Sequence, residues 1–94
     1  MPPASRISDI ASGHGGYPPS KVIQGSSDVF VGGLPQHRKG DAIMKHKKKS
    51  SHLRKSACGS SSVFVNSKQA VRIGDCVSCG GLLVTGCGSV VIGG

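Results

Sequence analysis

Residues 25–41 read GSSDVFVGGLPQHRKGD, and residues 59–75 read GSSSVFVNSKQAVRIGD. The two stretches align without a gap at a spacing of 34 residues. A truncated third copy, GCGSVVIGG, closes the chain at 86–94, where Val90-Val91-Ile92 matches Val29-Phe30-Val31 and Val63-Phe64-Val65. The other end of the unit opens the chain: Arg6-Ile7-Ser8-Asp9 matches Arg38-Lys39-Gly40-Asp41 and Arg72-Ile73-Gly74-Asp75. The unit is circularly cut and present three times, and such repeats bury their apolar faces against one another.

Each unit reads as strand, turn, strand. The Val-Phe-Val runs are β-branched and aromatic and follow Gly-Ser turns. Gly32-Gly33 and Asn66-Ser67 are short links, which predicts hairpins over 29–39 and 63–73. Residues 21–24 and 82–85 are expected as further strands. No segment carries a 3.6-residue apolar period, so helix is expected to be minimal and the fold all-β. Asp9, Asp41 and Asp75 recur at one place in the unit. An Asp at a repeated turn accepts hydrogen bonds from nearby backbone N–H groups, so these three read as structural rather than catalytic.

The 94 residues predict a single domain with no fused effector. A chain of this size buries about two-thirds of its unfolded surface. Aromatics are 3% of it, Trp is absent and Gly numbers 15, so its core is thin and its backbone costly to order. Such a chain needs disulfides or a metal, and Cys58, Cys76, Cys79 and Cys87 could supply either. Residues 1–20 show no basic segment followed by an apolar one, which predicts synthesis without a signal peptide. In a reducing cytosol cysteines serve metals more often than disulfides, so metal is the favoured reading. No apolar run is long enough to span a membrane.

Counting forward from each repeated Asp supplies candidate ligands. His14 lies five residues after Asp9, His46 five after Asp41, and Cys79 four after Asp75. Units packed round a common axis bring such positions to one point. His52 ends an insertion with no counterpart in the other units and supplies a fourth ligand. Three imidazoles and one thiolate complete a closed tetrahedral zinc site, which is structural and activates no water. His37 aligns with Val71 and reads as a strand residue. Cys76 and Cys79 form a CxxC, so a Cys76–Cys79–His46–His52 site is the alternative. Cys58 and Cys87 read as small buried side chains or unpaired thiols.

The formal charge is +8, yet eight of the 12 Lys and Arg lie between Arg38 and Lys55. Residues 44–55, MKHKKKSSHLRK, invite a nucleic-acid reading. They lack interleaved aromatics and a recognition helix, and solvated loop residues flanking two ligands are the plainer reading. Anionic lipid headgroups are a further partner such a run would suit.

The Asp-x4-His-Gly-Gly pattern at 9–16, the two Gly-Ser-x2-Val-Phe-Val units each ending in Arg-x-Gly-Asp, and the final 86–94 unit resemble the PAAR-repeat proteins over about residues 6–94. The resemblance implies a short cone of β-hairpins with pseudo-threefold symmetry. It implies one zinc near the apex held by three His and one Cys, an inventory met here by His14, His46, His52 and Cys79. It also implies docking of the cone base on a trimeric β-helical spike protein, in type VI secretion systems or contractile phage tails. Pro35-Gln36-His37-Arg38 and Gln69-Ala70-Val71-Arg72 stand where the family carries Pro-Ala-Ala-Arg, so only the Arg is kept in both.

The expected function is mechanical: a zinc-stapled point that caps the spike, breaches the target envelope and carries any toxin as a separate partner. Synthesis in the cytoplasm would precede delivery outward on the spike tip. The alternative is a small zinc-dependent nucleic-acid-binding protein using residues 45–55. A zinc hydrolase needs an open metal position and a general base, and the chain has no Glu and no ligand to spare.

Overall fold

A computed structural model describes residues 1–12, 19–44, 54–78 and 80–94. Among them the elements are short strands: β1 (Pro3–Ala4), β2 (Ile10–Ala11), β3 (Ser20–Lys21), β4 (Phe30–Val31), β5 (Leu34–Pro35), β6 (Ala42–Ile43), β7 (Arg54–Lys55), β8 (Phe64–Val65), β9 (Lys68–Gln69) and β10 (Cys87–Val91). No helix occurs among the described residues. The body is elongated, 36 × 23 × 22 Å.

The two expected hairpins form. β4 pairs antiparallel with β5 and β8 with β9, in the same register: Phe30 opposite Pro35, and Phe64 opposite Gln69. Gly32 and Gly33 have φ of 58° and 82°, Asn66 and Ser67 φ of 54° and 65°. Two successive left-handed residues make the tight turn whose twist matches the flanking strands. The third hairpin is β1 with β10, where Pro3 lies opposite Val91. Its two halves come from opposite ends of the chain, as the circular cut of the repeat requires.

The axial strands of the three units lock together in closed circles of backbone hydrogen bonds. Ser5 N–H donates to Val71 O at 3.0 Å, Val71 N–H to His37 O at 3.0 Å, and His37 N–H to Ser5 O at 2.9 Å. One step along, Ile7 donates to Pro35, Lys39 to Gln69 and Ile73 to Pro3. Within each circle a unit donates to one neighbour and accepts from the other, and the two circles run in opposite senses, which is pseudo-threefold symmetry within a single chain.

Farther from the hairpins the strands close into a small barrel. β2 pairs with β3, whose continuation at Val22 bridges Ile43 in β6. β6 pairs with β7, whose continuation at Ser56 bridges Val77. Cys76 bridges Leu82, and Leu83 bridges Ala11 of β2, so no edge is left open. The expected strands at 21–24 and 82–85 are therefore present as brief pairings. Side chains alternate in and out along each segment. Ala11, Val22, Ile43, Val77 and Leu83 point inward with Val71 and form the main core. Ala4, Val65, Ala70 and Ile92 form a second core beneath the hairpins.

Ser56 takes the inward place that Val22 and Leu83 take in the other units, and His37 satisfies it. Both are buried; His37 Nε2 meets Ser56 Oγ, and Nδ1 lies 3.0 Å from Gln24 O. Nδ1 must donate to the carbonyl, so Nε2 accepts from the hydroxyl and the ring is neutral. Burial pushes the His37 pKa below its ordinary 6.5. It was expected in a strand; it lies just beyond β5, between the isolated bridges at Gln36 and Arg38, where its backbone joins the axial circle.

Candidate metal centre and docking face

The repeated acids build the bends between the two ends of the molecule. Asp9, Asp41 and Asp75 each take a backbone N–H and the side-chain Nε and Nη2 of the Arg three residues earlier. For Asp41 the distances are 2.9, 2.7 and 2.9 Å. For Asp9 and Asp75 the same bonds to Arg6 and Arg72 span 2.8–3.3 Å. The Arg-x-x-Asp motif is thus a clamp on its own turn, which Asp41 N–H closes by donating to Arg38 O at 2.9 Å. The acids are structural, as read from the sequence.

His14, His46, His52 and Cys79 all lie outside the described residues. Among the described residues no group of three or more His, Cys, Asp or Glu could hold a metal ion. What is described are the stems. The described residues that border the segments with these candidates are Ser12, Met44 and Ser78 before them and Pro19, Arg54 and Gly80 after them. Ser12, Met44 and Ser78 are equivalent places in the three units, each following the inward residue Ala11, Ile43 or Val77. All lie at the barrel end away from the hairpins. A donor set of three imidazoles and one thiol has the chemistry of a closed tetrahedral ion site.

Two cysteines depart from the metal-first expectation. Cys58 and Cys76 form a disulfide with Cα atoms 5.3 Å apart, so Cys58 is neither a buried nor an unpaired thiol. While bridged, Cys76 has no thiolate to offer, which removes the alternative site built on Cys76 and Cys79. The reason lies in the repeat. Where the disulfide joins 58 to 76, Gln24 Oε1 accepts from Ala42 N–H at 2.8 Å, and Thr85 Oγ1 from Ile10 N–H at 2.8 Å. Every unit ties these two strands through the same side-chain position. Extending the sequence alignment beyond Gly-Asp places Cys58 with Gln24 and Thr85, and Cys76 with Ala42 and Ile10; that was the available signal.

Cys87 is a free, buried thiol, as expected. It stands where Ser26 and Ser60 stand. Ser26 Oγ accepts from Val29 N–H, and Ser60 Oγ from Val63 N–H, each at 2.9 Å. The Cys87 pKa is lowered, chiefly by the Ser89 hydroxyl and then by the Ser89 backbone N–H.

The basic segment also needs one correction. Arg54 is fully buried rather than solvated, while Lys55 beside it is exposed. Period-two alternation with the inward Ser56 was the sequence signal for it. The run therefore offers one cation fewer to a phosphate backbone.

At the hairpin end each unit exposes an equivalent apolar pair. Phe30 and Phe64 are each 56% exposed, and Val91 takes the same place in the third hairpin. Val29, Val63 and Val90 lie exposed beside them. Exposed apolar groups repeated round a threefold frame mark an interaction face.

The described residues form a closed pseudo-threefold β-fold with an exposed apolar face at one end. Residues 12–85 match the PAAR motif, and the chain belongs to that family. The family is structural, is associated with the spike tips of type VI secretion and similar systems, and is known for metal binding. No match is found among curated proteins.

Proposed function

We propose that this chain is the structural tip of a contractile injection spike, capping and sharpening a trimeric β-helical spike protein. The observation that carries this is the ring of three equivalent exposed apolar pairs on a closed pseudo-threefold frame. Three like hairpins can meet three identical strand ends and cover their open edges. One chain would serve one trimer.

At the other end His14, His46, His52 and Cys79 would hold a single zinc ion. Bound there, zinc supplies a tetrahedral cross-link among distant segments and no open position for chemistry. A thin core gains most from such a cross-link, since a structural zinc contributes about 10 kcal/mol or more. The chain would be made in the cytoplasm, ride outward on the tip and touch the target membrane, with any effector a separate partner.

Replacing both exposed aromatics tests the docking. Phe30→Glu with Phe64→Glu leaves the fold intact, because neither ring is in a core, and abolishes capture by the spike trimer. Undiminished capture would remove the hairpin face from the interface.

A further inference from the structure

Among the described residues Arg54 is the largest wholly buried side chain, and the threefold plan gives no reason for it. In the other units its place is taken by Ser20 and Gly81, and the guanidinium occupies the space that those small residues leave. A Cβ on Gly81 would lie 3.2 Å from Arg54 Nη1 and 2.6 Å from Ser12 O. The glycine, with φ of 92°, is required first by the close Ser12 carbonyl, and the Arg54 guanidinium packs beside it.

Its bonds reach the stems of more than one unit. Nη1 donates to Ser12 O at 2.7 Å and to Gly80 O at 3.5 Å. Nη2 donates to Ser20 Oγ at 2.8 Å and to Ala11 O at 3.3 Å. Ser12 precedes residues 13–18, Gly80 follows Cys79, and Arg54 itself follows residues 45–53. One planar, permanently charged group thus holds backbone next to all three segments that carry the candidate ligands. A buried charge is expensive and an apolar residue would fill the space at less cost. A fork of donors does what an apolar side chain cannot: it fixes the position of several carbonyls at once.

We propose that Arg54 is the positioning residue of the apical metal centre. It sets the spacing of the stems from which His14, His46, His52 and Cys79 depart, so that less ordering is left to be done when the ion binds. The inference rests on the metal reading above.

The test is zinc affinity of the full-length chain by chelator competition, with the visible spectrum of the cobalt-substituted protein as a second readout. Groups outside the ligand shell typically change metal affinity about 10–100-fold when removed. Arg54→Lys keeps the charge and loses the fork, and is expected to bind zinc at least about tenfold more weakly with altered cobalt bands. Ser20→Ala removes one acceptor and leaves the packing nearly unchanged; it should weaken zinc in the same direction. Val22→Ala lowers the melting temperature through the core and should leave zinc affinity and cobalt bands unchanged. Wild-type affinity in both Arg54→Lys and Ser20→Ala overturns the inference, as does an equal loss in Val22→Ala. If the wild-type chain itself takes up no zinc, the metal reading falls first and the inference with it.

Discussion

At position 8 the chain departs from its own repeat. Gly40 and Gly74 each have φ of 90° at the turn closed by the Arg-Asp clamp, and Ser8 holds φ of 79° at the same place. A left-handed conformation costs a residue with a Cβ about 1 kcal/mol. A Cβ on Gly40 would meet nothing within 4 Å, so only this backbone term acts there. Gly40→Ala is expected to lower unfolding free energy by about 1 kcal/mol, and Ser8→Gly to raise it by a similar amount. Urea denaturation of the two variants measures both; a destabilised Ser8→Gly would contradict the assignment.

His37 is the second residue with a measurable signature. Burial keeps its ring neutral in the fold, while the unfolded ring takes a proton below about 6.5. The unfolded state then binds more protons, so the contribution of His37 is complete above that pH and declines as pH falls below it. The double variant His37→Val, Ser56→Val copies the apolar residues of the other units and removes this titration. Melting temperatures from pH 7.5 down to about 5 should fall more steeply for the wild type than for the variant. Parallel curves would show that the ring is not held neutral.

Among the elements, the two hairpins and their links were fully legible. Their signal is local: Gly-Ser turns, β-branched runs and two-residue links fix strand and register within a few residues. The Asp turns were legible for the same reason, since Arg and Asp are three residues apart. The barrel was not. Its strands are two residues long and are defined by partners in other units, which leaves no periodic run to read. Arg54 was hidden by its neighbours: six cations between Lys45 and Lys55 look like solvent, and only the alternation with Ser56 sets one apart. The disulfide was hidden by a rule about compartments that says nothing about geometry.

That disulfide is the covalent form of a contact made twice more by hydrogen bonds. It closes a loop with a sequence separation of 18, and loops of this size confer about 3 kcal/mol. Reduction should therefore lower stability by about 3 kcal/mol. Cys58→Thr copies Thr85 and would recover about 1 kcal/mol through a hydroxyl accepting from Cys76 N–H. Guanidinium melts of the oxidised, reduced and Cys58→Thr proteins check both figures; identical oxidised and reduced curves would show that the bridge adds nothing.

For the whole molecule, the circular cut of the repeat and the closure of β1 on β10 have one consequence: a single chain presents three like hairpins to whatever it caps. The sequence repeat and the circles of hydrogen bonds agree on this. The same periodicity singled out His14, His46 and Cys79 in the sequence, and these residues lie outside the described ones. Symmetry is broken at chosen places, by Arg54 for Ser20 and Gly81, by Ser56 with His37, and by Cys58 with Cys76. Each departure replaces one way of holding adjacent strands by another.

Threefold matching by one chain is the central claim, and the mass of the complex tests it most directly. Native mass spectrometry of this chain mixed with a trimeric β-helical spike protein should give one chain for each trimer, with one zinc retained. Three chains for each trimer, or no complex at all, would contradict it.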